Sequence, residues 1–207
     1  MKKIIKVFIP FLLFSSFLFP QGAGNAISTR SWVLIPSSYL TNIQSDFSVE
    51  AWISPSSNDL LADAYSAIVS NKYHHATDYD GGFALAIDKQ KLRFTIRDRY
   101  GNEYNLDSDT DDLVANAWQH VAASFWYDND SGNRFMYLFI NGVLINSRQV
   151  TTMERLNRES KTHIGNSTVV EGYIFDGKID EVRIWSLALT SNDVRANMCR
   201  KLTAPLS

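Results

Sequence analysis

Four tyrosines, Tyr73, Tyr79, Tyr100 and Tyr104, fall between Asn71 and Asn105, beside Asp78, Asp80, Arg97, Arg99 and Asn102. An aromatic face can stack on the apolar face of a sugar ring while carboxylates, amides and guanidinium groups hold its hydroxyls. Tyr73, Tyr79, Arg97, Arg99, Tyr100, Asn102 and Tyr104 are therefore the candidate ligand contacts, weighed against the same residues as ordinary solvated loop. Asp78 and Asp80 precede Gly81-Gly82. Calcium takes six to eight hard oxygens, so a site at Asp78 or Asp80 needs carbonyls and further acids from another loop.

Other groupings resolve into simpler readings. Asp128, Asp130 and Gly132 mimic half of a calcium loop, but position twelve is Phe139, and a hairpin turn is expected instead. His74 and His75 are adjacent, so in an extended segment their side chains point to opposite faces, and an exposed pair is expected. Asp107, Asp109, Asp111 and Asp112 read as a solvated acidic loop, with a second calcium cluster as the alternative. The chain has no Gly-x-Ser-x-Gly elbow, no glycine-rich phosphate loop and no His-Glu-x-x-His helix.

Short alternating segments separated by turn residues must position these groups. Strands are expected at Trp32–Ile35, Phe47–Ile53, Ala67–Ser70, Phe83–Ile87, Leu92–Arg97, Glu103–Leu106, Gln119–Trp126, Phe135–Ile140 and Val143–Arg148, with short ones at His163–Gly165 and Tyr173–Phe175. Asn141-Gly142 is a strong hairpin signal. The segment from Ile179 to Trp185 alternates, placing Asp180, Val182 and Ile184 on one face, taken as inward. A carboxylate there needs a donor or a metal. His120 in the WQHVA strand is a candidate donor. Thr190 lies three residues before Asp193, a capping-box start for one short closing helix.

Three segments together resemble the laminin G-like and pentraxin-like jelly rolls of the concanavalin A-like superfamily. They are DFSVEAWI at Asp46–Ile53, WQHVAASF with FMYLFINGV across Trp118–Val143, and GKIDEVRIW with LALT and a helix across Gly177–Met198. The resemblance implies an all-β, two-sheet antiparallel jelly-roll sandwich with one C-terminal helix. It also implies calcium near Asp78 and Asp80, where pentraxins hold two ligands, and a structural calcium at Asp180 as in some laminin G-like members. Residues 165–171, GNSTVVE, lack the acid-rich run of the pentraxin double site. Glucanases of this superfamily carry Glu-x-Asp-x-x-Glu on one strand. The matching face here offers Lys178, Asp180 and Val182, so no catalytic residue is assigned and no enzyme is expected.

The first residues set the compartment. Lys2, Lys3 and Lys6 precede an apolar run from Val7 to Phe19, and small polar residues follow. That is the pattern of a secretory signal, and the run is shorter than the roughly 20 residues that span a bilayer. A signal over 1–24 and a single domain over 25–207 are expected, the product being secreted or at the cell surface without membrane insertion. A net charge of -2 excludes nucleic acid as an expected partner. The single cysteine, Cys199, excludes an internal disulfide; it is expected as a buried thiol of the closing helix, an exposed thiol being the alternative. The expectation that results is a binding module for glycans or a cell-surface glycoprotein, with calcium assistance as an option. A structural or adhesive protein-interaction module is the alternative, and a glycoside hydrolase ranks last.

Overall fold

The computed structural model describes residues 26–28, 32–35, 46–61, 63–71, 81–98, 100–128, 130–150, 162–166 and 174–200. Twelve strands run in chain order: β1 (Ile27–Ser28), β2 (Val33–Ile35), β3 (Phe47–Pro55), β4 (Tyr65–Ser70), β5 (Gly82–Asp88), β6 (Lys91–Arg97), β7 (Glu103–Asp107), β8 (Gln119–Tyr127), β9 (Arg134–Ile140), β10 (Val143–Val150), β11 (Thr162–Ile164) and β12 (Gly177–Trp185). Among the described residues a single helix, α1 (Ser191–Met198), follows. They form two six-stranded sheets, ordered β1-β12-β3-β8-β9-β10 and β2-β11-β4-β5-β6-β7. Every named pair is antiparallel. This is the expected all-β jelly-roll sandwich.

The alternation in sequence sets the core. Phe47, Val49, Ala51 and Ile53 of β3 meet Leu85, Phe94 and Ile96 of the opposite sheet and Val121, Ala123, Met136 and Leu138 of their own. Phe47 has Phe83, Phe94 and Phe125 rings within 5.0–6.0 Å, tilted or edge-on, as aromatic quadrupoles favour. Two-residue turns join β5 to β6 and β9 to β10. Lys89 and Gln90 both have positive φ, 51° and 70°, as do Asn141 and Gly142, 50° and 74°. Positive φ at both central residues is what the right-handed strand twist demands of so short a hairpin. At Gly142 the demand is doubled, since a Cβ there would lie 2.4 Å from Cγ of Arg195 on α1.

The other face of β3 is buried too, which strand alternation alone does not foretell. Ser48 and Glu50 are fully inaccessible and Trp52 nearly so, because α1 and the segment leading into it lie across this sheet. Leu189 and Val194 pack on Ala122 and Phe139 in a second, smaller apolar cluster. The Ser48 hydroxyl donates to the Leu187 carbonyl at 2.8 Å and accepts from the Leu189 amide at 2.8 Å, while Ser124 donates to the Leu189 carbonyl at 2.9 Å. The helix starts as expected: Asp193 N–H donates to Thr190 Oγ1 at 3.3 Å and Thr190 N–H to Asp193 Oδ2 at 2.9 Å. Its buried residues are Val194 and Met198, four apart and on one face. Cys199, one position on, is exposed, which corrects the expectation of a buried thiol.

Candidate functional site

Of the candidate ligand and calcium residues, Tyr73, Asp78, Tyr79, Asp80 and Arg99 lie outside the described residues. Arg97, Tyr100, Asn102 and Tyr104 are described, and three of them share one turn. Asp98 organises it from a fully buried position: Oδ1 accepts from the amides of Tyr100 and Asn102, both at 2.9 Å, and Oδ2 from the Asn102 side-chain amide at 3.0 Å. Gly101, with φ of 85°, lets the chain reverse under the Arg97 guanidinium, where a Cβ would come within 3.3 Å of Nη2. Tyr100 projects from the turn with 54% of its surface exposed. Tyr104 differs. It pairs with Ile96 and packs against the core, so it is separated from the other three by the direction of its strand face.

Asp180 is displaced from the inward face. The register of β12 on β3 breaks between Asp180 and Arg183, and Glu181 takes a positive φ of 50°. A bulge of this kind inserts one residue and inverts the alternation after it. Ile179 before it, and Val182 and Ile184 after it, therefore all pack against the core, leaving Asp180 on the other side. Asp180 accepts from the Glu181 amide at 2.8 Å, and in register Trp52 separates it from His120. Among the described residues no three His, Cys, Asp or Glu side chains gather as a metal site. The acidic loop is engaged internally. Arg93 grips Asp107 through Nε at 2.6 Å and Nη2 at 2.7 Å, and Asp112 accepts from the Asp109 amide at 2.8 Å. Asp128 makes the expected hairpin turn, its amide donating to the Asn133 carbonyl and its carbonyl accepting from Gly132.

A polar cluster that sequence reasoning passed over lies beneath α1. Glu50 Oε1 accepts from Arg183 Nη1 at 3.1 Å and from Trp185 Nε1 at 3.2 Å. Arg183 also donates to Glu181 at 2.8 Å, to the Asn197 carbonyl at 3.0 Å and to the Arg200 carbonyl. Trp52 Nε1 donates to the Met198 carbonyl at 2.8 Å. The ion pair thus ties the sheet to the carbonyl end of the helix, where positive charge is favoured. His120 Nε2 stands 3.5 Å from Glu50 Oε2, beyond good hydrogen-bond length, and neither atom has a hydrogen-bond partner among the described residues. Burial first, and the Arg183 charge second, push His120 down to about 3, so it stays neutral at ordinary pH. Burial raises Glu50 from its ordinary value, with Arg183 opposing. The sequence signal was present: a lone carboxylate in the apolar strand FSVEAWI and a lone arginine in KIDEVRIW.

Two face-to-face antiparallel sheets with one covering helix define a jelly-roll sandwich. A model described as the concanavalin A-like lectin/glucanases superfamily matches residues 28–195, and the chain belongs to that superfamily. No curated protein sequence matches the chain. Among solved structures it is similar to the CBM40 of Ruminococcus gnavus IT-sialidase bound to alpha2,3 sialyllactose, with 16% identity, a TM-score of 0.65, and 83% of this chain and 94% of that one covered. It is also similar to the botulinum neurotoxin serotype D ligand binding domain in complex with N-acetylneuraminic acid, at 19% identity and a TM-score of 0.61, covering 83% of this chain and 40% of that one. A receptor binding domain of neurotoxin D gives 19% identity, a TM-score of 0.58, and coverage of 74% and 37%. The chain thus spans well under half of the neurotoxin domains and nearly all of the CBM40, and at these identities the likeness is one of fold.

Proposed function

We propose that this chain is an exported, non-catalytic module that recognises glycans, free or carried by a cell-surface glycoprotein. The observation that carries the reading is the turn between β6 and β7. It holds a half-exposed tyrosine ring beside a guanidinium and an amide, on backbone pinned by a buried aspartate, so little freedom is lost on binding. The sialylated ligands named for two structures of the same fold support it and make an acidic sugar, met by Arg97, the first class to test. A non-catalytic role is supported by β12, which offers Lys178 where the superfamily's glucanases carry an acid, and by the engagement of Glu50 with Arg183. Export rests on the signal pattern over residues 1–24, and calcium assistance on Asp78 and Asp80.

The test is a glycan array probed with the full chain, with calcium and with chelator. Binding of sialylated glycans that falls at least tenfold in Tyr100→Ala and in Arg97→Gln is the expected result. Calcium dependence that disappears in Asp78→Ala would place the metal. An array without binding sinks the reading. One observation favours the second reading, an adhesive protein-interaction module: Trp32, Val33 and Leu34 on or beside edge strand β2 are 51%, 43% and 39% exposed. Apolar side chains on a strand that is an edge among the described residues suit a protein partner.

A further inference from the structure

A concavity lies away from the β6–β7 turn, on the outer face of the sheet that α1 covers. It encloses about 380 Å³ and is lined from the sheet by Trp126, Tyr137, Phe139 and Leu144, from the lead into α1 by Leu189, and from the first residue of α1 by Ser191. That volume is at the lower end of the range for small-ligand clefts, about 300–1,000 Å³. Its floor is an aromatic row. Trp126 stacks on Phe135 at 5.3 Å and 25°, and Phe135 on Tyr137 at 6.3 Å and 17°. Trp126 retains 38% of its surface in solvent and Leu144 43%.

From this geometry we propose that the pocket binds one ring of a neutral saccharide, seated on the indole of Trp126. The inference rests on the glycan-binding reading and assigns it a second site with a different sugar class. Three features select the occupant. The indole is held flat by its stack on Phe135, which offers a rigid apolar platform to the C–H face of a pyranose. The side-chain hydroxyls of Tyr137 and Ser191 make no hydrogen bond among the described residues, so both remain available to sugar hydroxyls. Among the described residues none that lines it is charged, so a carboxylate taken from water into this pocket would find no cation among them. A neutral ring therefore fits where a sialic acid does not. The far wall is fixed in advance, because Leu189 is held by Ser48 and Ser124 and Thr190 is locked in its cap with Asp193.

The experiment is a titration of the full chain with neutral and sialylated oligosaccharides, read by tryptophan fluorescence and by calorimetry. Wild type, Trp126→Ala and Tyr137→Phe are compared, the last removing only a hydroxyl. The expected result is a neutral saccharide whose binding perturbs fluorescence, weakens at least tenfold in Trp126→Ala and weakens several-fold in Tyr137→Phe. Neutral-saccharide binding that survives both substitutions overturns the pocket, and so does a chain that takes only sialylated glycans through Tyr100; the glycan-binding reading then stands. A chain that binds neither class overturns both. Should Trp126→Ala fail to fold, Tyr137→Phe decides, since it leaves the aromatic row intact.

Discussion

Glu50 and Arg183 are worth more to each other than either is to the fold. Arg183→Met strands a carboxylate that is fully inaccessible to water, and removing one partner of such a pair typically destabilises by about 3–5 kcal/mol. Glu50→Leu combined with Arg183→Met should recover the part of that loss owed to the stranded charge. Urea unfolding of the three chains checks the difference. His120 gives the pair's surroundings a pH signature. In the folded protein it titrates near 3, against 6.5 when free. Between those values the unfolded chain binds a proton that the native chain does not, so stability falls as pH drops from about 6.5 towards 3. One group contributes at most about 1.4 kcal/mol per pH unit, or about 2 kcal/mol between pH 6.5 and 5. Glu50 acts with the opposite sign, because its raised value makes the native state keep a proton that the unfolded chain releases. His120→Asn should therefore lose less stability than wild type between pH 7 and 5, in paired urea titrations. Asp180 belongs to a milder class. Asp180→Asn keeps an oxygen for the Glu181 amide and should stay within about 0.5 kcal/mol of wild type, with or without calcium.

At the scale of elements, the helix and its cap are the part that can be loosened selectively. Thr190→Ala removes both the acceptor for Asp193 N–H and half of the capping box, a change that typically costs about 1 kcal/mol. Hydrogen exchange should then rise over Ser191–Met198 before it rises in β3 or β8, since only the helix loses its start. The same elements separate what was legible in the sequence from what was not. Asn141-Gly142 and the alternation of Phe47, Val49, Ala51 and Ile53 are local signals, and each produced the element it announced. The bulge at Glu181 was hidden because no glycine marks it, so counting by twos through Asp180 put the carboxylate on the wrong side. Tyr104 reads like its neighbours as a wet-loop tyrosine, yet its partner across the ladder, Ile96, turns it to the core. The burial of Glu50 was hidden for a different reason. Its cover comes from residues 186–198, and nothing in the strand itself records that distant packing.

For the molecule as a whole, the order of strands fixes when the fold can exist. β12 lies between β1 and β3, pairing with both, and the segment after it closes the outer face. Ile53 must wait for Ile179, far along the chain, before its sheet is continuous. Such distant pairing places the domain among proteins of high contact order, which search slowly for their native state. Loop closure has to be accomplished before the contacts that reward it are made. A chain stopped at Asp176 should show no cooperative unfolding transition, although it contains eleven of the twelve described strands and most of the core. The segment from Gly177 to Met198 is therefore the one that commits the rest to structure. Until it docks, β3 keeps one bare edge and its outer face lies uncovered.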